Sequence, residues 1–179
     1  MHPQADFIHL LRESAVELHL GKHYWEAHMP DWPAALVAGF LAGALLMILE
    51  MLWAMTGSGA PWAVAHKVAG ITLGADVATA SGFSVNIVAI ALLTHYVLGM
   101  LFGCVLAMMF SAFRLDDSPG MAFALGGAFG IVLYVVNFYL MSRAYPWFID
   151  MRTLETFMGH VIFGMVAGFV YWKMRRQQG

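Results

Sequence analysis

Four stretches of this chain are long and apolar enough to cross a bilayer, and this limits the fold more than any other feature. A helix crossing about 30 Å of hydrocarbon needs roughly 20 mostly apolar residues. The stretches run over about Pro33–Met55, Val85–Phe113, Met121–Met141 and Leu154–Trp172. Composition agrees: 61% of residues are hydrophobic and 11% charged, against about 25% charged in a soluble domain. Such a chain is not an ordinary cytosolic enzyme or a disordered segment, and its net charge of -2 offers nothing to a nucleic acid. The expected fold is an all-α, integral membrane four-helix bundle with the lipid bilayer as its main surroundings. Cys104 is the only cysteine, so no internal disulfide forms.

The span boundaries carry helix-start signals. Asp31 before Pro33, and Ser118 before Pro119, pair a capping side chain with a first-turn proline. Ser84 is placed to cap the second span, and Tyr145-Pro146-Trp147 and Tyr171-Trp172 read as interfacial aromatics. Arg12, Lys22, Arg114, Lys173, Arg175 and Arg176 fall on one side of the membrane, and Lys67, Arg143 and Arg152 on the other. By the positive-inside rule, both termini are expected in the cytoplasm.

Residues 1–30 lack the apolar core and cleavage site of a signal peptide. Phe7, Ile8, Leu10, Leu11, Ala15 and Leu18 share a helical face, which predicts an amphipathic surface helix over about Asp6–Leu20. The segment 57–82 is too polar to span. It reads as a short interfacial helix over Ala63–Leu73, followed by turns at Gly74, Asp76 and Ser81-Gly82.

The spans also repeat. His95–Gly103 and His160–Gly168 both read H-x-x-x-G-M-x-x-G. Gly39 and Gly43 precede Glu50 at the spacing by which Gly126 and Gly130 precede Asn137. Pro61-Trp62 and Pro146-Trp147 follow, and then Lys67 and Arg152. This predicts two tandem hairpins, 31–115 and 118–176, forming a parallel repeat about a pseudo-two-fold axis along the membrane normal. Each span carries a G-x-x-x-G stripe, which lets helices approach closely where no hydrophobic force drives them together.

Ionisable residues inside a span are costly and face the bundle interior. The repeat places His95 and His160 at similar depth on opposite sides of the axis and Asn137 at the Glu50 position, a cluster in the outer half of the bundle with Lys67, Arg152, Asp150 and Glu155 as a rim. Three readings stay open. The cluster fixes helix register through buried hydrogen bonds. Alternatively, His95 and His160 are axial ligands of a haem b, one from each hairpin. Or Glu50, His95, Asn137 and His160 line a proton, transition-metal or small-solute path.

Weaker signals are the Met47, Met51, Met55 stripe and the pair His19 and His23 among the five histidines of the N-terminal arm. The former is an adaptable packing surface. Gly21 weakens the helix that the latter would need as a surface metal site.

The pattern of Glu50, Pro61-Trp62, His95, Asn137, Pro146-Trp147-Phe148, Arg152 and His160-Val-Ile-Phe-Gly164 resembles a family of small bacterial four-span membrane proteins, some of whose members are labelled sodium:proline symporter. The resemblance covers roughly residues 33–172 and departs at His66-Lys67, where that pattern has arginine. It implies the four-span fold. Sodium-coupled symporters of that kind use ten or so spans with broken helices at a midplane site, which four unbroken spans do not supply. With no nucleophile elbow, phosphate loop, dinucleotide fingerprint or zinc-protease motif in the chain, the expected role is non-catalytic. An accessory or assembly subunit of a larger membrane complex, with a protein partner or a second copy of itself, is the leading expectation.

Overall fold

The computed structural model describes residues 29–56, 62–113 and 118–176. The expected amphipathic arm with its five histidines, the residues 57–61 and Arg114 lie outside the described residues. The described chain is helical, without strands. Its order is α1 (Trp32–Thr56), α2 (Trp62–Leu73), α3 (Ala75–Ala78), α4 (Val85–Phe113), α5 (Pro119–Val135) and α6 (Leu154–Arg176). Helix α5 runs on through a π-turn (Val136–Leu140) and a 3-10 turn (Met141–Arg143), and a second 3-10 segment (Pro146–Met151) leads into α6. Four helices are long and apolar enough to span a membrane: α1, α4, the Pro119–Arg143 stretch and α6.

The starts follow the local chemistry. The Asp31 carboxylate accepts the Ala34 N–H at 3.1 Å, and the Ser118 hydroxyl accepts the Met121 N–H at 3.2 Å ahead of Pro119. Each satisfies an amide that the helix itself leaves unpaired. Thr153 caps α6 in the same way, accepting the Thr156 N–H at 3.2 Å, although no proline follows it to mark the start. Gly74 and Gly82, at φ 99° and 93°, make the turns between α2 and α4 where a side chain would be strained.

Packing is densest within two hairpins, α1 with α4 and α5 with α6. A methyl group added at Gly39 would strike the Gly99 carbonyl, and one at Gly126 the Gly164 carbonyl. Likewise Gly103 lies against the Ala35 carbonyl and Gly168 against that of Ala122. The backbones are therefore in direct contact at corresponding places in both hairpins. The hairpins join mainly through α1 and α6, while α4 and α5 scarcely touch. The inner pair is thus α1 and α6, with α4 and α5 outside them.

The end of the bundle holding the start of α1 and the finish of α6 is solidly filled. Ala34, Ala35, Ala38, Leu106, Phe110 and Tyr171 are almost wholly buried there. The Tyr171 hydroxyl accepts the Asp31 N–H at 3.2 Å, and its ring lies 5.3 Å from Phe110. At the far end, α2, α3 and the 146–151 segment fold over the bundle. Trp147, Phe148, Met151 and Phe138 form a second core there against Ala78.

Candidate functional site

Beneath that far-end cover lies a cavity of about 290 Å³. All four polar residues expected to converge line it: Glu50 from α1, His95 from α4, Asn137 from the π-turn and His160 from α6. The rest of the wall is aliphatic and aromatic, with Phe102, Phe138, Tyr145, Phe148 and Phe163 among its residues. A second cavity of about 390 Å³ adjoins the first and has Lys67, Asp150, Thr153, Glu155 and Thr156 in its wall. Glu50 and Met151 belong to both. We call the first the chamber and the second the vestibule.

The histidines are held differently. A carbonyl oxygen only accepts, so the ring nitrogen facing one carries the proton. His95 donates from Nε2 to the Gly43 carbonyl across the hairpin, at 2.9 Å. His160 donates from Nδ1 to the Thr156 carbonyl of its own helix, at 2.8 Å. That leaves His160 Nε2 to accept from the Asn137 amide at 3.5 Å. The rings of Phe138 and Tyr134 meet His160 edge-on at 5.2 and 6.1 Å.

Asn137 reaches this position because the third span is not an unbroken α-helix, as its composition suggested. The π-turn at Val136–Leu140 inserts extra backbone per turn, a distortion that recurs at functional positions. Arg152 supports it. Its Nε donates to the Phe138 carbonyl at 2.8 Å, its Nη2 donates to the Ser142 hydroxyl at 2.9 Å, and its guanidinium lies 4.3 Å from the Tyr139 ring centre. Arg152 is therefore not a rim residue: it lines neither cavity. The other three expected rim residues do line the vestibule, where Lys67 and Asp150 approach to 3.8 Å.

Glu50 has no such support. It is only 7% exposed, yet no hydrogen bond or ion pair from the described residues reaches its carboxyl group. Its counterpart Asn137 is paired with an imidazole, so of the four converging residues Glu50 is the one whose side chain has no partner among the described residues.

The cover is a joint product of both hairpins. Trp147 Nε1 donates to the Lys67 carbonyl at 3.1 Å. Buried His66 sets its two ring nitrogens 3.1 Å from the Val77 carbonyl and 2.9 Å from the Gly82 carbonyl, fixing the turn between α2 and α4. Tyr145, Phe148 and Met151 line the chamber, although the sequence marked Tyr145 only as an interfacial aromatic and did not single out Met151.

These positions do not suit a bis-histidine haem. Both Nε2 atoms are engaged, by the Gly43 carbonyl and the Asn137 amide. The glycines that would have left room for a porphyrin are closed by backbone: Gly99 against Gly39, and Gly164 against Gly126. The expected metal set fails for a different reason. Among the described residues, no three His, Cys, Asp or Glu side chains converge to hold an ion. Glu50, His95 and His160 share a cavity wall without meeting at one point in it. What the arrangement offers is a small, partly open cleft with apolar walls and a few polar groups, the common form of a small-molecule site.

No protein-family model matches this chain, and neither does any curated protein or solved structure.

Proposed function

We propose that this chain is a small protein of the bacterial inner membrane, with both ends in the cytoplasm, that binds a small solute in the chamber and admits it from the periplasmic side through the vestibule. The observation that carries this reading is the unpartnered Glu50 carboxyl group in the wall shared by the two cavities. A cluster serving only to fix helix register would pair this group with a neighbour. The filled core at the opposite end favours a binding protein or one-side-open carrier over a continuous channel. Large apolar side chains on the outer faces of α4 and α5, such as Leu93, Leu101, Val132 and Leu140, suit lipid and a partner subunit equally. They give the accessory-subunit role no specific support.

Cysteine accessibility tests this reading. With Cys104→Ala as background, single cysteines replace Thr156 in the vestibule, Leu98 in the chamber and Leu106 in the filled core. A small, hydrophilic, membrane-impermeant methanethiosulfonate is then added outside spheroplasts. Thr156→Cys is expected to react fastest, Leu98→Cys more slowly and Leu106→Cys not at all. Reaction at Thr156→Cys with none at Leu98→Cys from either side would mean a sealed packing void, and the solute-binding reading would fall.

A further inference from the structure

Given that the chamber is a solute site, the chemistry of its walls selects the solute. We infer that it takes an organic ammonium ion: a small apolar, preferably aromatic, body bearing a protonated or quaternary amine. The cationic end would lie against Glu50 and the body among the rings of Phe102, Phe138, Phe148 and Phe163.

Donors in the chamber are mostly spent, and acceptors are not. Neutral His95 gives its one N–H to the Gly43 carbonyl and keeps Nδ1 as an acceptor. Neutral His160 gives its N–H to the Thr156 carbonyl, and its Nε2 is taken up by the Asn137 amide. That leaves the Asn137 carbonyl oxygen as an acceptor and its second amide N–H as a donor. Glu50 is an acceptor with no partner. Tyr145 brings a hydroxyl, which serves either way. The unused capacity is therefore weighted to acceptors around one carboxyl group. Among the described residues no lysine or arginine lines the chamber: Arg152 is turned onto the Phe138 carbonyl, and Lys67 stands in the vestibule beside Asp150.

Two further features select the same class. Aromatic faces attract cations, by about 0.5–2 kcal/mol each depending on desolvation, and apolar walls suit a hydrocarbon body but not a hydrated inorganic ion. The vestibule carries Glu50, Asp150 and Glu155 against Lys67. With Asp150 near Lys67, two carboxylates remain to draw cations inward and turn anions away. At about 290 Å³ the chamber lies at the small end of ligand sites, so the solute is small.

The test is calorimetric titration of the full chain in phosphatidylcholine nanodiscs, with empty nanodiscs as the blank. The probes share one ring and differ in charge: 2-phenylethylammonium, 2-phenylethanol and 3-phenylpropionate. The ammonium is expected to bind at least tenfold more tightly than the alcohol, with no saturable binding of the carboxylate. Glu50→Gln is expected to lower ammonium affinity at least tenfold without lowering the melting temperature. Equal or tighter binding of the alcohol or the carboxylate would overturn the inference, as would an ammonium affinity unaffected by Glu50→Gln. The three-probe comparison is made on the unsubstituted protein, so its outcome stands even if the variant does not fold. Absence of binding by all three probes also overturns it. A reactive cysteine at position 98 would then leave the solute-binding reading intact, whereas an unreactive one would sink both.

Discussion

The two hairpins share a backbone solution and differ in the polar chemistry laid on it. Gly39 meets Gly99 as Gly126 meets Gly164, and Gly103 meets Ala35 as Gly168 meets Ala122. One turn on, they part. A methyl group at Gly130 would strike the His160 carbonyl, whereas one at Gly43 would make ordinary contacts with the His95 ring at 3.7 Å and the Gly99 Cα at 3.9 Å. The second hairpin keeps its backbones in contact there, and the first opens enough to admit an imidazole between its helices. His95 accordingly reaches across to the Gly43 carbonyl, while His160 stays on its own helix. Asn137 is paired and Glu50 is not. The second hairpin thus forms the braced wall of the chamber, and the first carries the carboxyl group left without a partner among the described residues.

Substitutions can break or sharpen that comparison. The largest and most equal effects are expected at the shared contacts. Gly39→Leu and Gly126→Leu should both prevent a stable bundle, because overpacking costs about 1–3 kcal/mol even where side chains can yield, and here the obstacle is a carbonyl. Thermal melting in mild detergent reads this, and a Gly39→Leu variant that melts like the parent would disprove the equivalence. Next comes the point of divergence. Gly130→Ala should cost about 1–3 kcal/mol, while Gly43→Ala should stay within about 0.5 kcal/mol. Equal losses at the two positions would remove the asymmetry.

The matched bases come third. Arg152→Lys loses the Nε–H held by the Phe138 carbonyl and should destabilise by about 1–2 kcal/mol. Lys67→Gln removes a 3.8 Å ion pair to an Asp150 side chain that is 71% exposed, so the change should stay below about 1 kcal/mol. Unfolding titrations of the two variants side by side decide this. A smaller effect than at Arg152 is expected of Asn137→Leu, which removes one long hydrogen bond to His160 and should cost about 0.5–1 kcal/mol. The same substitution should shift the His160 Nε2 nitrogen resonance and leave that of His95 in place.

Much of this arrangement is legible in the sequence because lipid limits the choices. Four apolar runs, the Asp31 and Ser118 caps and the short helix after Trp62 follow from local chemistry. The gathering of Glu50, His95, Asn137 and His160 follows from the cost of intramembrane polarity. Other features depend on contacts that no local pattern encodes. The π-turn that places Asn137 is supported by Arg152, whose Nε–H reaches the Phe138 carbonyl fourteen residues back in the chain. The pairing of α1 with α6 is hidden because these helices are apolar on every side, so periodicity does not mark a contact face. Arg152 misleads for a related reason: its spacing matches that of Lys67, but a freed carbonyl nearby takes its charge out of the site.

The clasp between Trp147 and the Lys67 carbonyl joins residues 80 positions apart. Synthesis runs from the N-terminus, so the first hairpin enters the membrane before its partner exists. During that interval Glu50 and His95 have no chamber around them, and a carboxyl group facing lipid is costly. Docking of the second hairpin along α1 is therefore the step that takes the Glu50 side chain from a hairpin face into the interior of the bundle.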